Sequence, residues 1–434
     1  MSPTFASLKI RNYRIYASGS IVSNIGTWMG RVGQDWLVLT ILTNHSATAL
    51  GTVTGLQFLP FLILAPFTGM IADRFPKRRI LFVSQSGLAL SALALAALTL
   101  TGNVQLWQVY AVAFFQGVAT AIDNPARQTF VSEMVPREYL SNAVGLNSAS
   151  FNMGRLIGPG IAGLVIAWVG TGVALLVNGL SFFFVILSLA TMRSTELMPT
   201  ERVRGKGQIR QGFAYVRSRP DLMLVMFLVF MLGTFGMNFQ ITTALMATKV
   251  FDKGATEYGL LGSILAIGSL AAALLSARRK NPRLRVLLVA LSGFVVSTFL
   301  AAIAPTYDLF AISLIPVGLC ALTTMTTANA MVQLSVDAQM RGRVMALYMA
   351  ILMGGTPIGS PFIGWLGDHA GPRWTIGVGT IAVTLALVVT AVLLTRRDNV
   401  RVSYQSARRP RFQVTSTVSS RSGQPSVPAP EAAR

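Results

Sequence analysis

The chain has 434 residues, 53% hydrophobic but only 12% charged, with a mean hydropathy of +0.59. A soluble protein of this size carries about a quarter charged residues, so soluble helical folding is a poor alternative. A single cysteine (Cys320) and two histidines (His45, His369) exclude a disulfide scaffold and a cysteine-rich metal site, and no metal or cofactor is expected.

Apolar stretches of roughly 20 residues, the length that crosses a hydrocarbon core, recur along the chain. Lys9, Arg11 and Arg14 precede a first stretch far longer than a signal h-region, so no cleaved signal is read there. The breaks predict helices at 14–42, 48–72, 80–101, 105–126, 141–168 and 172–192. Residues 193–220 then interrupt the pattern with many charges. Within them Ile209, Phe213 and Val216 recur at helical spacing, which predicts a short amphipathic helix on the membrane interface between two halves. A second set follows at 221–248, 257–277, 285–304, 308–333, 343–366 and 373–395. Residues 397–434, rich in Ser, Pro and Arg, lack a periodic apolar face and are expected to be a disordered, solvated tail. The division is a six-helix bundle at 1–192, a linker at 193–220, a second bundle at 221–396 and a tail at 397–434. The fold class is all-α membrane protein, with twelve transmembrane helices in two pseudo-symmetric bundles.

The net charge of +21 invites a nucleic-acid reading, and its distribution rejects it. With both termini on the cytoplasmic side, Lys249, Lys253 and Arg373 fall outside, and Arg31 and Arg155 fall within the membrane. The rest of the 36 basic residues, including Arg74, Lys77, Arg78, Arg79, Arg341 and Arg343, face the cytoplasm. That asymmetry is the positive-inside rule, and it points to membrane lipids rather than DNA as the partner of the basic surface.

A shift of 201 positions places Gly117 on Gly318, Gly154 on Gly355, Gly158 on Gly359 and Gly163 on Gly364. A shift of 207 aligns Gly26-Thr27-Trp28 with Gly233-Thr234-Phe235. Weak similarity between halves marks a duplicated fold whose ligand site lies at the interface of the repeats near the bilayer midplane.

After the second helix come Gly69, Asp73, Arg74, Pro76, Lys77, Arg78 and Arg79, in the order glycine, three residues, acid-base, then basic residues. This resembles the signature loop of the major facilitator superfamily, itself a standing example of such duplication, with Pro76 where the family has glycine. The resemblance implies a cytoplasmic latch formed by the motif Gly69, Asp73, Arg74, Arg78 and Arg79, in which Gly69 permits close helix approach while Asp73 meets a helix N-terminus or an arginine of the other half. Topology alone would explain the basic residues but not Gly69 or Asp73. The fifth helix holds Gly154, Gly158, Pro159 and Gly163, which resemble the glycine-proline motif of antiporters in that superfamily. Plain helix packing accounts for these residues equally well. Thr27-Trp28-Met29, Gln34-Asp35-Trp36, Asp123-Asn124-Pro125-Ala126-Arg127-Gln128 and Arg341-Gly342-Arg343 look like the drug and siderophore exporter branch, that of the enterobactin exporter and macrolide efflux proteins. The likeness covers residues 5–396. One departure is Ala113, three residues before Gln116-Gly117, where many drug-proton antiporters carry an arginine.

Three formal charges, Arg31, Asp35 and Arg155, lie deep in the apolar segments, where an unpaired charge costs a contested ~2.5 to 17 kcal/mol. Arg31 and Asp35 are four apart and share a helix face. Either Asp35 exchanges protons while Arg31 and Arg155 compete for it, or a static ion pair braces the helices. Gln34 and Asn238 complete the candidate cavity, the latter at the position the 207 shift matches to Arg31. Two bases to one acid tilt the ligand toward anionic or neutral amphipathic molecules.

No nucleotide-binding glycine loop, HExxH pair or nucleophile elbow is present, so an enzyme is not expected. The resulting expectation is a monomer in the bacterial inner membrane that exports a small amphipathic drug, siderophore or similar metabolite by alternating access and proton antiport. An uptake permease or a lysolipid flippase would use the same architecture.

Overall fold

A computed structural model describes residues 3–198, 208–277, 283–398, 401–405 and 411–415. In chain order its helices are α1 (Arg11–Trp36), α2 (Ala47–Arg74), α3 (Lys77–Leu100), α4 (Leu106–Met134), α5 (Arg137–Val169), α6 (Thr171–Thr191), α7 (Gln208–Arg217), α8 (Pro220–Met231), α9 (Phe239–Leu245), α10 (Ala255–Ala277), α11 (Leu284–Ile303), α12 (Tyr307–Ser335), α13 (Ala338–Gly354), α14 (Thr356–His369) and α15 (Pro372–Asp398). Ten stretches are long and apolar enough to cross a membrane, with α8 and α9 counted as one and α13 and α14 as another. Helices α1 and α4 match them in length, at 26 and 29 residues, but carry more polar groups.

Residues Met1–Thr384 form one compact unit, and residues Leu385–Arg434 form a second. In the second, the end of α15 is followed by β1 (Arg401–Gln405) and β2 (Arg411–Thr415), paired antiparallel with Arg401 opposite Thr415. These ten residues pair as a hairpin, and the tail beyond Thr415 lies outside the described residues.

Within the first unit, α1 packs on α5 and α6, α3 on α4 and α6, and α2 on α4. In the second half α12 packs on α10 and α11. The internal repeat is visible in these contacts. A Cβ at Gly117 of α4 would lie 2.4 Å from the Gln57 carbonyl oxygen of α2, and one at Gly318 of α12 would lie 2.2 Å from that of Leu265 in α10. The aligned glycines make the same crossing in each half because only a bare backbone fits there.

The halves meet at two crossings related by the same symmetry. At one, a Cβ on Gly259 of α10 would sit 2.3 Å from the Pro159 carbonyl oxygen of α5, and one on Gly163 would sit 2.5 Å from that of Ala255. At the other, Gly51 of α2 is 2.3 Å by the same measure from the Ser360 carbonyl oxygen of α14, and Gly364 is 2.3 Å from that of Ala47. Both crossings lie at the end of the molecule away from Arg74–Arg79.

Three elements differ from the sequence reading. Helix α4 runs on through Pro125 to Met134, two turns past the end of its apolar run, and so adds Arg127 and Glu133 to the helix that already held Asp123. The seventh segment is broken: α8 ends in a widened turn at Leu232–Gly236, and Asn238 (φ −90, ψ 41) sits in the non-helical link before α9. The linker helix α7 docks on α13 rather than lying between the halves. Arg343 donates to Gln211 at 2.5 Å, Tyr215 donates to Asp337 at 3.1 Å, Val216 is buried, and Phe213 is 58% exposed. The side chain of Ile209 lies outside the described residues.

A side chain at either crossing must push two backbones apart. Gly259→Val and Gly51→Val should each destabilise the closed end by about 1–3 kcal/mol, as overpacking does. Faster thiol labelling of Thr48→Cys in either background would show it; unchanged labelling would mean the crossings tolerate a Cβ.

Candidate functional site

The buried charges of α1 do not form the expected ion pair. Asp35 is 5% exposed and accepts a hydrogen bond from the Tyr258 hydroxyl of α10 at 3.0 Å. Among the described residues Arg31 and Asp35 are not within ion-pair distance of each other. Asp35 therefore reaches across to the second half, and the ring of Tyr258 stacks on Trp36 one residue further along α1, with centroids 6.1 Å apart.

Arg31 and Arg155 converge on one indole instead. The Arg31 guanidinium lies 4.7 Å from the Trp28 ring centroid and that of Arg155 5.7 Å from it. Phe151 closes on the same indole edge-on at 5.8 Å. An indole face offers a desolvated cation partial compensation of about 2 kcal/mol, far less than a carboxylate would. The helix packing that brings them together is made by the glycine motif. Cβ atoms at Gly154 and Gly158 would lie within 2.9 Å of α1 backbone at Asn24 and Ile25, while Pro159 and Gly163 face α10. The motif thus joins α5 to its own half by one pair and to the other half by the next.

Gln34 and Asn238 are both buried, and each keeps one polar atom without a partner: Nε2 of Gln34, a donor, and Oδ1 of Asn238, an acceptor. The Asn238 amide nitrogen donates to the Thr234 carbonyl at 2.8 Å, bracing the break in the seventh segment. Buried unpaired polar atoms cost about 1–3 kcal/mol each.

The expected latch is only partly in view. The side chains of Gly69 and Asp73 lie outside the described residues. Arg74 is exposed, with its guanidinium 5.9 Å from the Phe75 ring. Arg78 does not cross to the other half. It caps the end of α6, donating to the Leu189 and Ala190 carbonyls at 2.7 and 3.1 Å and to Ser194 Oγ at 2.6 Å. Arg79 is exposed. Lys77 pairs with Glu133 of α4 at 2.5 Å. The basic run therefore ties α3 to α4 and α6 of its own half, as the cations favoured at helix C-termini do.

Two polar clusters were missed by the sequence reading. Asp123 is 3% exposed and accepts from Arg127 at 2.7 Å, Ser84 at 2.7 Å and Gln85 at 2.8 Å, a complete set that braces α3 against α4. The i, i+4 spacing was visible, but the predicted helix ended at 126, between Asp123 and Arg127, so the pair was not drawn on one helix. At the closed end, Asp368 of α14 accepts from the backbone amides of Ala47 and Thr48, both at 2.8 Å, and from Ser46 Oγ at 3.2 Å. Lys249 lies 3.4 Å from the same carboxylate. Ser46 caps Ala49, and Asp368 supplies the two preceding donors of α2 with an acceptor from the other half.

Two duplicated helical bundles, closed against each other at one end by tight glycine crossings, have their counterpart among known proteins. Residues 2–428 match the model of the transmembrane secretion effector family. The chain belongs to that family, a branch of the major facilitator superfamily. It is similar to the staphyloferrin A transporter of Staphylococcus aureus, at 24% identity over 86% of this chain and 94% of that one. It is also similar to macrolide efflux protein A of Streptococcus pyogenes (22% identity, 88% and 95% covered) and to the multidrug efflux pump Tap of Mycolicibacterium fortuitum (28%, 87% and 94%). A solved nucleoside transporter shares the fold, with a TM-score of 0.72 at 12% identity over 88% of this chain and all of that one. So does a bacterial homolog of the lysosomal transporter Spinster, at 0.64 and 13% over 91% and 96%. The chain is a multi-pass membrane transporter of small molecules, and its family and relatives are transporters, not enzymes.

Asp123→Asn should cost about 1.5–3 kcal/mol by removing the charged acceptor of the partly buried Arg127 guanidinium, and lower the melting temperature in detergent. Asp368→Ala should weaken closure by about 0.5–2 kcal/mol, the worth of a helix cap, and speed labelling of Thr48→Cys. An unchanged melting temperature or labelling rate would contradict the respective assignment.

Proposed function

We propose that this transporter exports a small amphipathic molecule, anionic or neutral, by alternating access with proton antiport, and that Asp35 carries the proton. The observation behind the reading is the hydrogen bond from Tyr258 to Asp35. It is a contact between the halves made by a buried carboxylate, so its fate changes whenever that end opens.

Positive-inside orientation puts Arg74–Arg79 and both termini in the cytoplasm, and the closed crossings at the outer face. The described state then faces inward. An ionised Asp35 receives a charge-assisted bond from Tyr258, stronger than the neutral acid would form, so deprotonation favours closure at the outer end. Opening draws α10 away and leaves the carboxylate to take a proton from outside; closing returns it to Tyr258 and releases the proton inward. The groups facing Asp35 are Tyr258 from α10 and Arg31 from its own helix.

Arg31 and Arg155 on Trp28, flanked by Phe151, present positive charge beside an aromatic surface with no carboxylate partner. That favours an amphipathic anion over a lipophilic cation. Gln34 Nε2 and Asn238 Oδ1 are a spare donor and acceptor for a polar substrate group. The efflux relatives named above support export over uptake.

Proteoliposomes with an imposed proton gradient test the coupling. Asp35→Asn should lose gradient-driven export while retaining substrate exchange, because the amide still accepts from Tyr258 but cannot titrate. Undiminished gradient-driven export by the variant removes Asp35 from the coupling role.

A further inference from the structure

A groove of about 790 Å³ lies between the Arg74 end of α2 and the outer faces of α3 and α4, away from the interface of the halves. Its walls are Val83, Gly87, Leu90, Phe115, Val118 and similar apolar residues, and Arg79 stands at one end. Val83, Leu90 and Phe115 are 70, 72 and 64% exposed, so nothing among the described residues covers them. On α3 the groove extends from Arg79 to Ala94, fifteen steps along the helix, or about 22 Å at ~1.5 Å per residue.

That length matches a single leaflet. A bilayer is about 40–45 Å thick with its headgroups, so one leaflet from headgroup to midplane spans about 20–22 Å. Arg79 lies at the N-terminal end of α3, where the headgroups are, and the apolar wall ends near the midplane. Among the described residues the Arg79 guanidinium makes no hydrogen bond or ion pair, unlike Lys77 and Arg78 beside it. Gly87 opens the middle of the groove: a Cβ there would touch only Ala119, at 4.0 Å. A free cation at headgroup depth above a leaflet-length apolar channel is the complement of one anionic phospholipid.

We propose that the groove is a binding site for an anionic phospholipid of the basic-side leaflet, with its phosphate on Arg79 and an acyl chain along α3 past Gly87. Neither residue touches the Asp35–Tyr258 link or the Trp28 cluster, so lipid binding and substrate binding are separable.

Native mass spectrometry of the full chain, released from nanodiscs of mixed phosphatidylglycerol and phosphatidylcholine, tests the site. The wild type should retain one phosphatidylglycerol in preference to phosphatidylcholine. Arg79→Gln should cut that preference about fivefold, the worth of one basic residue near an anionic surface. Gly87→Leu fills the channel without a clash, and should lose the retained lipid of either headgroup while keeping the wild-type melting temperature. Retention of phosphatidylglycerol by Gly87→Leu at the wild-type level, an unchanged preference in Arg79→Gln, or displacement of the lipid by a transported compound would each overturn the proposal.

Discussion

Gly51, Gly163, Gly259 and Gly364 bring α2 against α14 and α5 against α10 so closely that a single added carbon would meet a carbonyl oxygen. Such contact leaves nothing to adjust continuously. The halves are either seated along these crossings or separated, and that two-way choice is what alternating access requires. Every polar contact between the halves is placed by this seating. Asp35 reaches Tyr258 and Asp368 reaches the first amides of α2 only while the crossings are closed.

The symmetry that builds the crossings stops at the polar groups. The positions that the repeat matches to Asp35 and Asp368 are Thr242 and Ala167, which carry no charge. The duplicated backbone thus supplies the crossings, and single carboxylates in each half are placed across them. Burial makes the two unlike. Asp35 lies in the interior with a neutral phenol as donor, whereas Asp368 sits at the rim with two backbone amides, a hydroxyl and a lysine. A carboxylate with that many donors at a helix N-terminus is suited to holding charge; one with a single phenol is suited to exchanging a proton.

Composition and spacing made the helices, the duplication and the glycine crossings legible, because membrane thickness and backbone contact impose them on the sequence directly. The partners were less legible. Arg31 and Asp35 share a helix face at four-residue spacing, yet they turn apart, Arg31 to Trp28 of its own helix and Asp35 to Tyr258 of the second half. Tyr258 carried no signal: a tyrosine near a helix end reads as an interfacial residue. Arg78 belongs to a loop motif that says nothing of its partner, and the fold gives it the carbonyls at the end of α6. The pairing of Asp123 with Arg127 was lost to a boundary that fell between them, since the apolar run of α4 ends at Ala126 while the helix does not.

The central claim is that outer closure depends on the ionisation of Asp35. Spin labels at the exposed positions Asn44 and Ala370, flanking the crossing of α2 with α14, would measure that closure in nanodiscs by pulsed electron resonance as the pH is lowered. The account predicts that acidification lengthens the distance in the wild type and leaves Asp35→Asn unmoved. A wild-type distance indifferent to pH would contradict it. So would an undiminished response in Asp35→Asn, which would place the titrating group elsewhere, with Asp368 the nearest carboxylate to the labels.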